Sequence, residues 1–260
     1  MARSLRVIWR LVCPSHEGGP RRLIILLDRG SYGDVDIIDD IIPELIVNDA
    51  RAPHRHSGER KFYVFGPDIT GGGPGHGLVF VNKEKLLTPP RLILRPDGGG
   101  FPKLNERPHI AYDKKKGRPP RDLEGTLSGY WFVSERLKNI FESIDAAAFA
   151  FAECDYTLAD GSIGPKHFLC DVVRSIDALD KEASDMRIKI YRNHQTGEDE
   201  EIYSVAGGAS IYFREDVVGD AHVFVQPRLA ADPICDDALY VAFKAIKNIN
   251  GICFLDALNL

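Results

Sequence analysis

The stretch GYWFVSERLKNIFESI, residues 129–144, places an aromatic, strand-like run directly before a helical pattern. Ser134 is a residue type that caps helices, because its hydroxyl accepts hydrogen bonds from the N–H groups of the first turn. Leu137, Ile140 and Phe141 recur at the spacing that lines one face of a helix. A strand that leads straight into an amphipathic helix predicts a helix packed on a sheet.

Two hairpins are predicted after this helix. AFAECDYTL and KHFLCDVV flank a turn that contains Asp160-Gly161, residues that tolerate positive φ, and RIKIY and EEIYSVA flank a second polar turn. REDVVGD predicts a single helical turn ending at Gly219, and Asp236 or Asp237 can cap a last helix before the strand-like GICFL. The sequence therefore predicts an α+β fold, a twisted antiparallel β-sheet with flanking helices.

The first half of the chain is different in composition. Strand-like runs alternate there with Gly- and Pro-rich turns, and one weak helix is predicted around residues 36–42; the runs are Leu5–Cys13, Arg22–Leu27, Lys61–Phe65, Leu78–Val81 and Arg91–Leu94. The basic stretch 113–125 contains prolines and predicts a linker. We therefore expect a β-rich N-terminal region, residues 1–116, and a second domain, residues 117–260.

The net charge changes sign close to this predicted boundary. Residues 1–122 contain 21 Lys and Arg against 15 Asp and Glu, whereas residues 123–260 contain 12 against 23. The two parts therefore carry net charges of +6 and −11, and a strongly negative domain attracts cationic partners. The acidic residues of the second part form three groups, which we predict as partner-binding residues: Glu198, Asp199, Glu200 and Glu201; Asp216 and Asp220; Asp236 and Asp237.

Several function classes are disfavoured by the sequence. No apolar run approaches the roughly 20 residues that cross a bilayer, so no membrane partner is expected. Five scattered cysteines without a C-x-x-C pair predict reduced thiols and a cytoplasmic protein. KKKGR, residues 114–118, lacks the interleaved aromatic residues that stack on bases, so no nucleic-acid partner is expected. TGGGPGHG, residues 70–77, lacks G-K-[ST], which favours a flexible loop over a phosphate loop.

The sequence also gives only weak evidence for a catalytic site. His54 and His56, with His76 or His109, could form a metal site, which leaves a metal-dependent enzyme as an alternative. Cys170 and His167 are three residues apart on a predicted strand and fall on opposite faces, so they do not form a nucleophile pair. The sequence predicts no catalytic residue and no cofactor. A two-part adaptor, whose basic first half binds an anionic partner, is the remaining alternative.

Five blocks of the second half resemble the immunity-protein domain family of bacterial polymorphic toxin systems: KGRPPRDLEG, GYWFVSERLKNIFESID, LCDVVRSIDALDKEAS, YSVAGGASIYFREDVVGDAHVF and ICDDALYVAFKAIKNINGICF. The resemblance covers about residues 117–260. It implies a cytoplasmic protein without catalytic activity that binds and neutralises a cognate toxin delivered in interbacterial competition, for example by type VI secretion. Some relatives accompany nuclease toxins, which implies a basic partner cleft that an acidic protein could enter.

Overall fold

The computed structural model describes residues 8–10, 24–26, 60–70, 75–193 and 197–260. Over these residues the protein is mostly β-sheet with a few short helices, which confirms the α+β class. The strands before residue 113 are β1 (Ile8–Arg10), β2 (Ile24–Leu26), β3 (Phe62–Pro67), β4 (Leu78–Phe80) and β5 (His109–Tyr112). The next elements are β6 (Leu123–Leu127), β7 (Tyr130–Ser134), α1 (Glu135–Asp145), β8 (Phe149–Thr157) and β9 (His167–Val172). The remaining elements are β10 (Leu179–Asp185), β11 (Arg187–Arg192), β12 (Asp199–Ser204), β13 (Ser210–Phe213), α2 (Glu215–Val218), β14 (Val223–Phe224), β15 (Ile234–Asp236), α3 (Asp237–Ala245) and β16 (Ile252–Asp256).

The largest sheet among the described residues has the strand order β4-β5-β8-β9-β7-β6. Its neighbouring strands are antiparallel except for β5 and β8, which run parallel with His109 opposite Asp155. The strands of this sheet that lie within residues 117–260 are antiparallel, as predicted, and the parallel pair joins them to β5 upstream. The chain passes from β5 to β8 through β6, β7 and α1, and a connection of this length permits parallel neighbours, whereas a tight turn does not.

A second sheet joins distant parts of the chain. Its order is β14-β15-β3-β16, and Val64 of β3 lies opposite Ile234 of β15 and Leu255 of β16. β3 precedes the boundary predicted at residues 113–125, and both of its partners follow it. Residues 60–112 therefore share sheets with the downstream part of the chain, because three strand pairs cross the boundary: β3 with β15, β3 with β16, and β5 with β8. The division into residues 1–116 and 117–260 stays a prediction, and of residues 1–59 the structure describes only β1 and β2.

The predicted linker contains the first part of β6. Leu123 is fully buried and the neighbouring Glu124 is only 3% exposed. The Glu124 carboxylate accepts hydrogen bonds from Arg118 Nη2 at 3.0 Å and from the Arg121 backbone N–H at 2.8 Å. Burial alone would raise the pKa of Glu124, but these bonds outweigh it and lower the pKa. Because charges from the same stretch neutralise one another, a segment that looks polar is buried in the sheet.

Both faces of β7 are buried. Tyr130 and Phe132 belong to a core cluster with Leu94 and other residues from the 78–110 segment, whereas Trp131 and Val133 belong to a cluster that includes residues of α1. The aromatic run of Tyr130, Trp131 and Phe132 therefore lies in an interior strand of the sheet. Its alternation divides the hydrophobic core into two layers, one on each face of the six-stranded sheet.

Helix α1 confirms the predicted cap. The Ser134 hydroxyl accepts from the Leu137 N–H at 3.4 Å, and Leu137 and Phe141 are fully buried. Phe141 also stacks on Phe149 of β8, with ring centroids 4.5 Å apart. The apolar stripe read from the sequence thus faces the sheet, as its spacing predicts.

Most other local predictions for the second half are confirmed. β8 and β9 form an antiparallel pair whose turn has Gly161 at φ 82°, and β11 and β12 form the second hairpin. The turn α2 ends at Gly219, with φ 56°. One upstream prediction is wrong, since residues 91–94 do not form a strand, and the helix predicted at residues 36–42 lies outside the described residues.

The four cysteines that the structure describes divide into two groups. Cys154, Cys170 and Cys235 are free and buried, whereas Cys253 is disulfide-bonded, so the prediction of reduced thiols throughout is wrong for Cys253. Cys170 lies in the core layer shared with α1, on the sheet face opposite His167, which confirms that these two side chains do not form a pair. No helix within the described ranges is long and apolar enough to cross a membrane.

Candidate partner-binding surface

The predicted acidic residues lie in two parts of the structure. Residues 198–201 lie at the β11–β12 hairpin, which forms a two-stranded sheet that we call the ribbon. Asp216 and Asp220 lie at α2, and Asp236 and Asp237 lie at the start of α3. Asp236 belongs to the four-stranded sheet, so the structure does not gather the eight acidic residues in a single row.

The ribbon carries exposed apolar side chains beside its acidic residues. All six residues of β11 are exposed, including Ile188 at 47%, Ile190 at 65% and Tyr191 at 45%. Successive side chains of a strand point to opposite faces, so Ile188 and Ile190 share one face. On that face they lie opposite Tyr203 and Glu201 of β12. Exposed β-branched side chains on a two-stranded ribbon are typical of a contact surface rather than of a core.

The charge of the ribbon is mixed rather than uniformly negative. The strand register places Arg192 opposite Asp199, and Glu200 lies opposite Tyr191. Asn193 Nδ2 donates to Glu200 Oε1 at 2.7 Å, and Glu198 and Asp199 are exposed. The acidic run therefore lies beside the basic strand β11, which reduces the negative field expected from the sequence.

Glu201 is the member of the acidic run with the most defined partners. Its Oε2 accepts from Lys181 Nζ at 2.5 Å and from the Tyr203 hydroxyl at 3.2 Å. These hydrogen bonds lower the pKa of Glu201. Since this ion pair is exposed to solvent, it contributes little to stability, but it fixes the position of the carboxylate.

The base of the ribbon is anchored to the rest of the protein by Tyr203. This residue is fully buried, and the cations of Lys181 and Arg228 lie 5.1 and 5.4 Å from its ring centroid. Its backbone N–H donates to the Arg228 carbonyl at 2.8 Å, and its carbonyl accepts from the Ala230 N–H at 2.8 Å. The ribbon is therefore held at its base and presents its outer strand to solvent.

The acidic residues at α2 and at the start of α3 lie around a buried ion pair. Asp236 is only 2% exposed, and its Oδ2 lies 2.6 Å from Arg60 Nη2 and 2.7 Å from His222 Nδ1. Its Oδ1 accepts from the Ala238 N–H at 3.0 Å, which caps α3. This corrects the interpretation of Asp236 as a contact residue, because its carboxylate is buried and satisfied within the protein. The neighbouring Asp237 is exposed.

Arg60 links this ion pair to α2. Its Nη1 donates to the Gly219 carbonyl at 2.7 Å, and its backbone N–H donates to Glu215 Oε1 at 3.2 Å. Asp216 and Asp220 remain exposed on this turn, while Val218 is buried beneath it. Sequence reasoning missed Arg60 and His222, because no local pattern connects an arginine with an aspartate that lies 176 positions away.

The histidines proposed as metal ligands do not form a described site. His54 and His56 lie outside the described residues. His76 Nε2 lies 2.9 Å from the Gly125 carbonyl and its Nδ1 accepts from the Leu78 N–H at 3.2 Å, while His109 Nε2 lies 3.2 Å from Thr157 Oγ1. Within residues 60–70, 75–193 and 197–260, no three His, Cys, Asp or Glu side chains are grouped so that they could hold a metal ion.

The fold and its surfaces define a β-rich α+β protein with an exposed, mixed-charge ribbon. The model of the immunity protein family Imm11 matches residues 61–259. The chain therefore belongs to the Imm11 immunity protein family, and the resemblance seen in the second half is confirmed. The match begins immediately before β3, the strand that pairs with β15 and β16. No curated protein matches the chain.

Proposed function

We propose that this protein binds a cognate bacterial toxin and neutralises it by direct contact, without catalysis, and that the ribbon forms part of the contact surface. Membership of the immunity family supports the toxin-immunity role. The observation that supports the ribbon is the exposure of Ile188 and Ile190 beside the acidic residues of β12. Apolar side chains surrounded by polar and charged groups resemble the centre and rim of a protein interface.

The proposed partner surface follows from this chemistry. The two isoleucines would enter an apolar recess, and the carboxylate of Asp199, which lies on the same face of the ribbon, would meet a basic group at its border. A nuclease cleft that binds phosphates is basic, so a nuclease is the toxin class that we propose. The basic residues of β11 would then select a partner surface that is not basic throughout, which adds specificity.

The anchored base of the ribbon supports tight inhibition. A surface that already has its bound shape loses less conformational entropy on association. Tyr203 is fixed by two backbone hydrogen bonds and by its position between Lys181 and Arg228. We therefore expect slow dissociation of the toxin, and we place the encounter in the cytoplasm, where an injected toxin would act.

Coexpression with the toxin encoded beside this protein tests the proposal. The full chain should restore growth of cells that produce the toxin, and the two proteins should purify together. Unimpaired killing in the presence of the folded protein, with no complex, would refute direct neutralisation.

A single substitution tests the role of the ribbon. Ile190→Asp places a charge at the centre of the proposed contact, and we expect the affinity for the toxin to fall by about 100-fold, as for a central interface residue. Val241→Asp on α3 is the matched control, because Val241 is 60% exposed and lies outside the ribbon. Surface plasmon resonance should show weakened binding for Ile190→Asp alone, with unchanged thermal midpoints for both. Equal binding by both variants would mean that the ribbon is not part of the interface.

A further inference from the structure

A polar cleft of about 390 Å³ lies away from the ribbon, where β7 leads into α1 and β9 begins. Six charged or amide side chains line it together with the imidazole of His167, namely Arg121, Asp122, Glu135, Arg136, Lys166 and Asn250. Neither the acidic groups predicted from the sequence nor the contact surface proposed above includes any of these residues. The hydrogen bonds within the cleft determine which groups remain available to a ligand.

Asp122 is saturated by its neighbours. Its carboxylate accepts from Arg136 Nε and Nη2, both at 2.5 Å, from the Ser134 hydroxyl at 2.7 Å and from the Asn250 N–H at 3.0 Å. Burial alone would raise the pKa of Asp122, but the bonds from Arg136, Ser134 and Asn250 lower it. The carboxylate is thus ionised and its acceptor sites are filled from within the protein.

The same bonds orient two donors. Asn250 Oδ1 accepts from the Asp122 N–H at 3.2 Å, so the other end of this side chain is the Nδ2 amino group. Arg136 uses Nε and Nη2 for Asp122, and Nη2 also reaches the Asn248 carbonyl at 2.6 Å. Among the described residues, Asn250 Nδ2 and Arg136 Nη1 have no acceptor, so both can donate to a ligand.

His167 supplies an acceptor. Its side chain is 6% exposed, and its Nδ1 lies 2.8 Å from the Pro165 carbonyl, which can only accept. Nδ1 therefore carries the hydrogen, and Nε2 is a lone pair without a partner among the described residues. Burial lowers the pKa of His167, which keeps the ring neutral. The ring is fixed by stacking on Phe132, with centroids 4.5 Å apart.

Lys166 adds a cation, whose Nζ lies 5.4 Å from the centroid of the Phe168 ring and has no close ion-pair partner among the described residues. Its Nζ lies 3.5 Å from Glu135 Oε1 and 3.7 Å from Glu153 Oε1, both longer than an ordinary hydrogen bond. The cleft also adjoins the N-terminal end of the 11-residue helix α1, where the helix dipole favours negative charge.

We propose that this cleft binds a phosphate group, either inorganic phosphate or a small phosphate monoester. Arg136, Lys166 and Asn250 would donate to the phosphate oxygens, and His167 Nε2 would accept from the protonated oxygen of the monoanion. A carboxylate or a sulfate offers no proton to His167 at neutral pH, so an acceptor at this position favours phosphate. This site is independent of the proposed toxin contact.

The acceptor role of His167 makes the binding dependent on pH. The second pKa of a phosphate monoester is about 6, so the protonated oxygen is lost as the pH rises above that value. The affinity should therefore fall by up to about tenfold per pH unit above pH 6 to 7. Asp122 and Arg136 remain charged in this pH range, and Lys166 and Glu135 form an exposed pair. Burial raises the pKa values of Tyr156 and Cys154 on β8 to about 12, so both side chains stay neutral.

Isothermal titration of the full chain with inorganic phosphate and with sulfate tests the site. We expect saturable binding at one site, with phosphate preferred over sulfate near neutral pH, and Lys166→Gln should weaken phosphate binding about tenfold. Lys103→Gln is the matched control, since Lys103 is exposed and does not line the cleft. A simple alkyl phosphate in place of inorganic phosphate distinguishes a monoester site from a site that admits only the free ion.

His167→Gln adds a readout that a structural role alone would not change. This variant should lose the preference for phosphate over sulfate and the steep pH dependence, with its fold checked by circular dichroism. Three results would each overturn the proposal: no saturable phosphate binding, equal affinity of the wild type for phosphate and sulfate, or equal losses for Lys166→Gln and Lys103→Gln. Rescue of toxin-producing cells is measured separately, so failure here leaves the proposed function unaffected.

Discussion

The pair β7–β9 and the pair β11–β12 have the same local structure and opposite surroundings. Both are antiparallel pairs, with Phe132 opposite Leu169 in the first and Ile190 opposite Glu201 in the second. Every residue of β9 is buried, whereas every residue of β11 is exposed. A β-branched or aromatic run therefore indicates a strand, but not whether the strand is covered by other elements.

Acidic side chains also have different surroundings near the core and on the ribbon. Near the core, Asp122, Glu124 and Asp236 are each held by arginine side chains and are almost inaccessible. On the ribbon, Asp199 and Glu200 are exposed. The first set stabilises the junctions between sheets and loops, and the second set is available to a partner.

The largest expected effect concerns the apolar side chains of the two pairs. Phe132→Ala should lower the free energy of unfolding by about 3 to 5 kcal/mol, because the ring is fully buried and its removal leaves a cavity. Ile190→Ala should change it by less than about 0.5 kcal/mol, because the side chain is 65% exposed. Urea denaturation of both variants measures the contrast. A large loss for Ile190→Ala would mean that the ribbon is covered in solution.

An intermediate effect is expected at a buried carboxylate. Asp122→Asn should destabilise the protein by about 2 kcal/mol at pH 7, since it removes the charge that pairs with Arg136, a half-exposed partner. The folded-state pKa of Asp122 is lowered, so its contribution is full above the unfolded pKa and is lost as the pH falls through the folded value. The difference from wild type should therefore shrink below about pH 4. Asp199→Asn is the exposed control, and a pH-independent deficit for Asp122→Asn would contradict the charge argument.

The smallest effect concerns the exposed acidic residues. Replacing Asp199 and Glu200 together by Lys should slow association with a basic toxin by about three- to tenfold at low salt, with little change in dissociation. The effect should decrease at high ionic strength, because salt screens exposed charges. The matched double reversal at Asp216 and Asp220 tests the second acidic group by stopped-flow kinetics. If that variant associates more slowly than the ribbon variant, α2 rather than the ribbon faces the toxin.

Local rules predicted the elements of the second half well. Ser134 caps α1, the Asp160-Gly161 turn joins β8 to β9, and α2 ends at Gly219, because capping and turn formation depend on residues within a few positions of one another. The same rules failed at β6. There the polarity of residues 113–125 predicts a linker, although Arg118 and Arg121 neutralise Glu124 and allow the strand to be buried.

The candidate sites were predicted less completely. Composition indicated an acidic second half, and residues 198–201 are on an exposed hairpin as their polar pattern suggests. The sequence could not show that basic β11 lies beside them, or that Asp236 is buried against Arg60. The cleft residues Asp122, His167 and Asn250 come from three separate segments, so no sequence motif contains them together.

By itself, the sequence determined the two hairpins and the helices of the downstream half, the absence of a long apolar span and the resemblance to immunity proteins. The tertiary structure decided that β3 belongs with β15 and β16, that Asp236 is internal, and that β11 remains exposed while β9 does not. The physical reason is the distance along the chain over which each property is determined. Backbone conformation responds to near neighbours, whereas burial and ion pairing depend on which distant segments come to lie against a residue.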